Sequence, residues 1–112
     1  MPQSGRLENR SCRACEGKVE ALGEPDIEEY LQQLPGWRRT GGEISKSFNF
    51  KNYYETIAFV NATTWISHRE DHHPDLEVGY NACKVRYSTH SVGGLSENDF
   101  ICAAKIQALF TI

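Results

Sequence analysis

From Leu76 to Tyr87, apolar and polar residues alternate along two short runs, LEVGY and CKVRY, separated by Asn81-Ala82. Side chains in a strand point to opposite faces in turn, so each run gathers its apolar residues on one side. Two such runs joined by two residues form an antiparallel hairpin with one face buried. If Asn81-Ala82 is the turn, Tyr80 pairs with Cys83, Val78 with Val85 and Leu76 with Tyr87. Glu77 then stands opposite Arg86, a favourable opposite-charge pair. Carried outward, this register sets His73 opposite His90. Ala82 is the exception, because a type I′ turn prefers glycine at that position.

The rest of the chain fits the same architecture. EPDIEEYLQQLPGW starts with Pro25 in a first helical turn, surrounded by acidic residues that suit the positive helix end, and Pro35-Gly36 stops it. Strand-like WRRT and EISKSFNF flank a turn at Gly41-Gly42-Glu43, with Ile44, Phe48 and Phe50 on one face. KNYYETIAFVNATTWISHRED is the longest helical segment; Tyr54, Ile57, Ala58, Val60, Ala62, Trp65 and Ile66 form a broad apolar stripe. It ends ahead of Pro74, since the residue before proline avoids helical dihedrals. SENDFICAAKIQALF is a last helix with Ser96 as N-cap and Asp99 at the capping-box position. The order α-β-β-α-β-β-α predicts an α+β fold, a four-stranded antiparallel sheet with three helices on one face. So small a sheet has exposed edges that an oligomer would cover.

Composition sets limits on function. The chain has 112 residues, one domain's length, and a net charge of -3, which excludes a nucleic-acid partner held by bulk positive charge. No apolar run reaches membrane-spanning length, and MPQSGRLENR has no signal-peptide core, so the expected location is the cytoplasm. Residues 1–23 read as a polar, loosely ordered leader and residues 24–112 as the functional domain. Cys12 and Cys15 form a C-x-x-C without a second pair, short of the four ligands of structural zinc, and read as a reduced pair in that leader. No metal and no cofactor are expected.

The four histidines carry the functional signal. His68, His72 and His73 lie within one short span, and the hairpin brings His90 towards them. His68 and His72 have i, i+4 spacing, but Arg69 follows His68 where the zinc-protease motif needs glutamate. A histidine such as His68 in a helix's last turn also complements the dipole. Two more imidazoles just beyond the helix point to a site. Without an obvious nucleophile, they suit proton transfer in elimination or hydration chemistry, because imidazole both gives and takes protons near neutral pH.

His72-His73-Pro74, five residues, Tyr80, nine residues, His90, eight residues and Asp99 resemble the signature of the pterin-4a-carbinolamine dehydratases. The DHHP, STH, GLSENDF and LPGW segments, the run from Phe48 to Tyr53 and the leader's C-R-A-C are also similar to that family, so the likeness covers residues 25–109. The resemblance implies dehydration of 4a-hydroxytetrahydropterin to the quinonoid dihydropterin by a subunit of this fold, a homodimer or homotetramer. It further implies functional coupling to an aromatic amino acid hydroxylase, with no direct contact to nucleic acid or membrane. By position it places the pterin near Asp71, His72, His73, Ser88, Thr89, His90 and Ser91. His72, His73 and His90 would be the catalytic set, with His68, Trp37 and Asp99 supporting the pocket. Trp37 reads equally as a core aromatic and Asp99 as a first-turn helix charge. At position 68 the family most often carries glutamate, so His68 is a departure that bears on substrate affinity. Vertebrate relatives also stabilise dimers of a transcription factor, which makes a non-enzymatic, coactivator-type binding protein the alternative.

Overall fold

A computed structural model describes residues 6–12 and 19–111. Helix α1 (Glu24–Gln32) leads into strands β1 (Arg38–Thr40) and β2 (Glu43–Asn49). Helix α2 (Tyr53–Glu70), strands β3 (Asp75–Val78) and β4 (Ala82–Tyr87) and helix α3 (Glu97–Ala108) follow. The sheet is antiparallel throughout, in the order β1-β2-β4-β3. The architecture is the α+β arrangement expected from the sequence.

One sheet face is apolar for the reason the alternation gave. Ile44 and Phe48 of β2 and Cys83, Val85 and Tyr87 of β4 are buried, while Ser45, Ser47, Lys84 and Arg86 face the other way. Against the buried face pack Ile27 and Tyr30 of α1, Phe59 and Ile66 of α2, and much of α3, including Phe100, Ile101 and Ile106, in a single core. Asn52 caps α2 by accepting from the Glu55 amide at 3.0 Å.

The β3–β4 register differs from the expectation by two residues. Val78 pairs with Cys83, Leu76 with Val85 and Asp75 with Arg86, and Tyr80-Asn81 form the loop. The partner strand explains the shift. Ala82 is already paired with Asn49 of β2, and Phe50 N donates to Asn81 O at 2.8 Å, so Ala82 belongs to the ladder and cannot serve in the turn. A shift of two keeps every side chain on its face, which is why the apolar pattern could not distinguish the two registers. Glu77 is level with Lys84 and meets Arg86 diagonally, in an ion pair. Carried outward, the observed register sets His73 level with Ser88 instead of His90.

The core face of α2 also differs. Thr56, Phe59, Thr63 and Ile66 are its buried residues, and Tyr54, Ala58 and Trp65 are exposed. The buried threonines are tolerated because their hydroxyls donate to backbone carbonyls, Thr56 Oγ1 to Asn52 O at 3.0 Å and Thr63 Oγ1 to Val60 O at 2.7 Å.

Residues 6–12 fold back onto the domain. A 3-10 turn at Leu7–Asn9 buries Leu7 against α3, and Lys105 Nζ donates to Glu8 O at 3.0 Å. Cys15 lies outside the described residues. Among the described residues, no helix is long and apolar enough to cross a membrane.

Candidate active site

Three segments converge beyond the ends of β3 and β4. The first is the exit of α2. Asp71 takes the left-handed conformation, φ 52°, and the His72 amide closes back on Ser67 O at 3.2 Å. This ends the helix before Pro74 and separates the two adjacent imidazoles, so that His72 is buried and His73 exposed. The second is the continuation of β4, Ser88-Thr89, pinned by a bridge between Thr89 and Gly94, with His90 opening a 3-10 turn. Gly42 of the β1–β2 turn packs close to this loop, where an added Cβ would come within 3.2 Å of Gly94 Cα and press on it. The third is the first turn of α3, which supplies Asp99.

The segments enclose a cavity of about 250 Å³. Asp71, His72, His73, Ser88, Thr89, His90 and Ser91 line it together with Asp75 and Arg86. The binding residues expected from the sequence are thus brought together. The route there differs in detail, because His73 and His90 meet across a cavity and not as paired rungs of a ladder.

The electrostatic organisation centres on Asp99, which is fully buried. Its Oδ1 lies 2.6 Å from His72 Nε2. Its Oδ2 accepts from Thr89 Oγ1 at 2.8 Å and from the Ser96 amide at 3.0 Å. The Ser96 hydroxyl accepts from the Asn98 amide at 3.2 Å and lies 2.8 Å from Thr89 Oγ1. The Thr89 proton is committed to Asp99, so the Ser96 proton goes to Thr89. Every hydroxyl in this chain therefore has one direction, and all of it ends on the carboxylate. A carboxylate accepts, so His72 donates from Nε2, and in the neutral ring Nδ1 is then the acceptor. The His72 ring is further fixed by stacking on Tyr87, with centroids 5.6 Å apart. Asp99 at once completes the capping box of α3 and contacts His72. His73 Nδ1 lies 3.3 Å from Pro74 O; a carbonyl only accepts, so Nδ1 carries the proton.

His68 and Trp37 do not line the cavity. His68 is exposed beside Trp65, with ring centroids 6.2 Å apart. Trp37 is a core residue, held by Gln107 at 3.4 Å and packed on Tyr87. Arg86 and Asp75 went unassigned in the sequence because the shifted register had matched Arg86 to Glu77 alone. Its hydrogen bond to Glu77 raises the Arg86 pKa and lowers that of Glu77, so a fixed cation stands at the cavity wall. A roomier cleft of about 310 Å³ lies elsewhere, between Trp65, Glu70, Lys105 and Leu109, but contains no histidine.

Comparisons with known proteins agree with this geometry. The family model described as pterin 4 alpha carbinolamine dehydratase matches residues 20–109. A protein of Nitrosospira multiformis, provisionally named a pterin-4-alpha-carbinolamine dehydratase, is 59% identical over 95% of this chain and 94% of its own. One of Dechloromonas aromatica with the same provisional name is 51% identical over the whole of both chains. Among solved structures, a transcriptional coactivator/pterin dehydratase from Brucella melitensis superposes with a TM-score of 0.76 at 32% identity, covering 79% of this chain and 96% of that one. A fold match at 24% identity and a TM-score of 0.54, covering 65% of this chain and 84% of the other, is described as a pterin dehydratase-like RuBisCO assembly factor of the α-carboxysome. With its fold, its histidine-lined cavity and these relatives, the chain belongs to the pterin-4a-carbinolamine dehydratase family.

Proposed function

We propose that this protein catalyses the dehydration of 4a-hydroxytetrahydropterin to the quinonoid dihydropterin and water, acting through residues 24–112. Loss of the 4a-hydroxyl requires a proton on the departing oxygen and removal of the proton from ring nitrogen N5. The observation that carries the reading is His72, buried at the cavity wall with Nε2 tied to Asp99, which makes Nδ1 the acceptor of the neutral ring. A fixed acceptor suits the N5 proton. His73 and His90, exposed on the same cavity, would serve the leaving oxygen. Asp71, Ser88, Thr89 and Ser91 would hold the pterin, and Arg86 and Asp75 add a charged pair that the family pattern alone did not suggest. No step needs a cofactor.

The proposed setting is tetrahydropterin recycling in the cytoplasm, behind an aromatic amino acid hydroxylase, with the protein as a homodimer or homotetramer. Edge strands β1 and β3 and the exposed Tyr54 and Trp65 on α2 support the oligomer. The test is a dehydration assay on freshly generated 4a-hydroxytetrahydropterin, with the double variant His73→Ala/His90→Ala as control. Catalysis by the wild type that the variant loses is the expected result. A wild type that stays oligomeric but gives no acceleration would favour the second reading, a non-enzymatic binding protein, which the coactivator half of the Brucella protein's description supports.

A further inference from the structure

The C-x-x-C of the N-terminal segment has no part in the reading above, yet the fold gives its first cysteine a partner. Cys12 Sγ lies 3.4 Å from Cys102 Sγ, across 90 residues of chain. The backbone leading into Cys12 is secured, and Cys102 sits within α3. Cys12 N donates to Glu70 Oε1 at 2.8 Å, at the last residue of α2, and Cys12 Sγ lies 3.6 Å from Asn98 O in α3. Leu7 is buried and Glu8 is held by Lys105. Cys12 is partly exposed, and Cys102 is fully buried. One accessible thiol and one buried thiol, already in contact on anchored backbone, form a reactive and resolving pair.

We propose that Cys12 and Cys102 are a redox-modification site, where a peroxide or a small-molecule disulfide converts the two thiols into an intramolecular disulfide that ties the N-terminal segment to α3. The sulfurs need to approach to about 2.05 Å, a short movement for one of two anchored segments. With glutathione disulfide, the Cys12 thiolate attacks one sulfur and releases one glutathione thiolate. Cys102 then loses its proton and attacks Cys12 Sγ of the mixed disulfide, releasing the second glutathione. Two protein thiols are oxidised by two electrons, and one disulfide is reduced to two thiols. The hydrogen bond to Cys102, followed by burial, pushes the Cys12 thiol pKa up. Little thiolate is present at neutral pH, so the link forms slowly there and faster as pH rises. Cys102 lies one turn beyond Asp99 on α3.

The test incubates the full chain with glutathione disulfide at pH 7 and pH 9, then maps its disulfides by non-reducing digestion and mass spectrometry. The expected product is a Cys12–Cys102 linked peptide in a monomeric chain lighter by about 2 Da. It should form faster at pH 9, raise the Tm and be reversed by dithiothreitol. Cys15→Ser should keep the link and Cys12→Ser should abolish it. A Cys12–Cys15 link as the main product, links only between chains, loss of the link in Cys15→Ser, or thiols masked by stoichiometric bound zinc would each overturn the proposal.

Discussion

His72 Nε2 and Asp99 Oδ1 stand 2.6 Å apart, although 27 residues separate them and both are buried. Asp99→Asn tests this contact. The amide can still accept from Thr89 or Ser96, but it can also present a donor to His72 and so favour the other tautomer, in which Nδ1 carries the proton and no longer accepts. Turnover in the dehydration assay should fall within the roughly 10²–10⁴-fold range of general acid–base catalysis. Loss of a charge-assisted buried bond should also lower stability by about 1–3 kcal/mol, read by urea unfolding. Full activity in this variant would remove Asp99 from the mechanism.

The exposed pair behaves differently. His73→Ala and His90→Ala should each lower turnover while leaving stability within about 0.5 kcal/mol, since neither side chain contributes to the core. If both serve one proton-transfer step, the double variant should lose less than the product of the single effects. Strict multiplicativity in a double-mutant cycle would assign them to separate steps.

Tyr87 gives a stability prediction. Its hydroxyl is buried beside the Cys102 thiol and makes no hydrogen bond of normal geometry among the described residues. Burial, followed by the neighbouring thiols and Asp99, raises its pKa above the ordinary 10.0. A phenol whose folded pKa is raised contributes stability that is complete below pH 10 and is lost as pH rises further, because only the unfolded chain ionises there. Burial raises the Cys83 thiol above 9.0 in the same sense. Thermal unfolding should therefore show Tm falling from about pH 9 upward. Tyr87→Phe should make that fall shallower and change stability by no more than about 1 kcal/mol at pH 7, since the hydroxyl it removes has only a weak thiol partner.

Trp65 is 64% exposed and Tyr54 is 86% exposed on the outer side of α2. Such residues on one helix face suit a contact between copies. Light scattering should give a mass above that of one chain, and Trp65→Glu should reduce it with little change in the far-UV circular dichroism. A concentration-independent monomer would contradict this.

Much of the fold was legible because its signals are local. Period-two alternation marked β2, β3 and β4, while proline and capping residues marked the helix ends, and these depend only on near neighbours in the chain. The same locality explains the misplaced register. Leu76, Val78, Cys83, Val85 and Tyr87 satisfy either ladder equally, and the choice was made by Asn49 of β2, which claims Ala82. The buried face of α2 was set by its neighbours too. Thr56 and Thr63 go inward because carbonyls are in reach of their hydroxyls, and Trp65 stays out.

The site divides along the same line. Clustering in the sequence drew attention to His72, His73 and His90, and the resemblance to the family added Asp99 to them. Neither could decide what each one does. Asp99 became the anchor of His72 only when α3 packed against the end of α2, Arg86 reached the cavity wall only in the register that β2 imposed, and Cys12 found Cys102 only when the N-terminal segment folded back on α3. Hydrogen bonds and thiol contacts act over a few ångströms, so pairs separated by 27 or 90 residues are decided by tertiary packing.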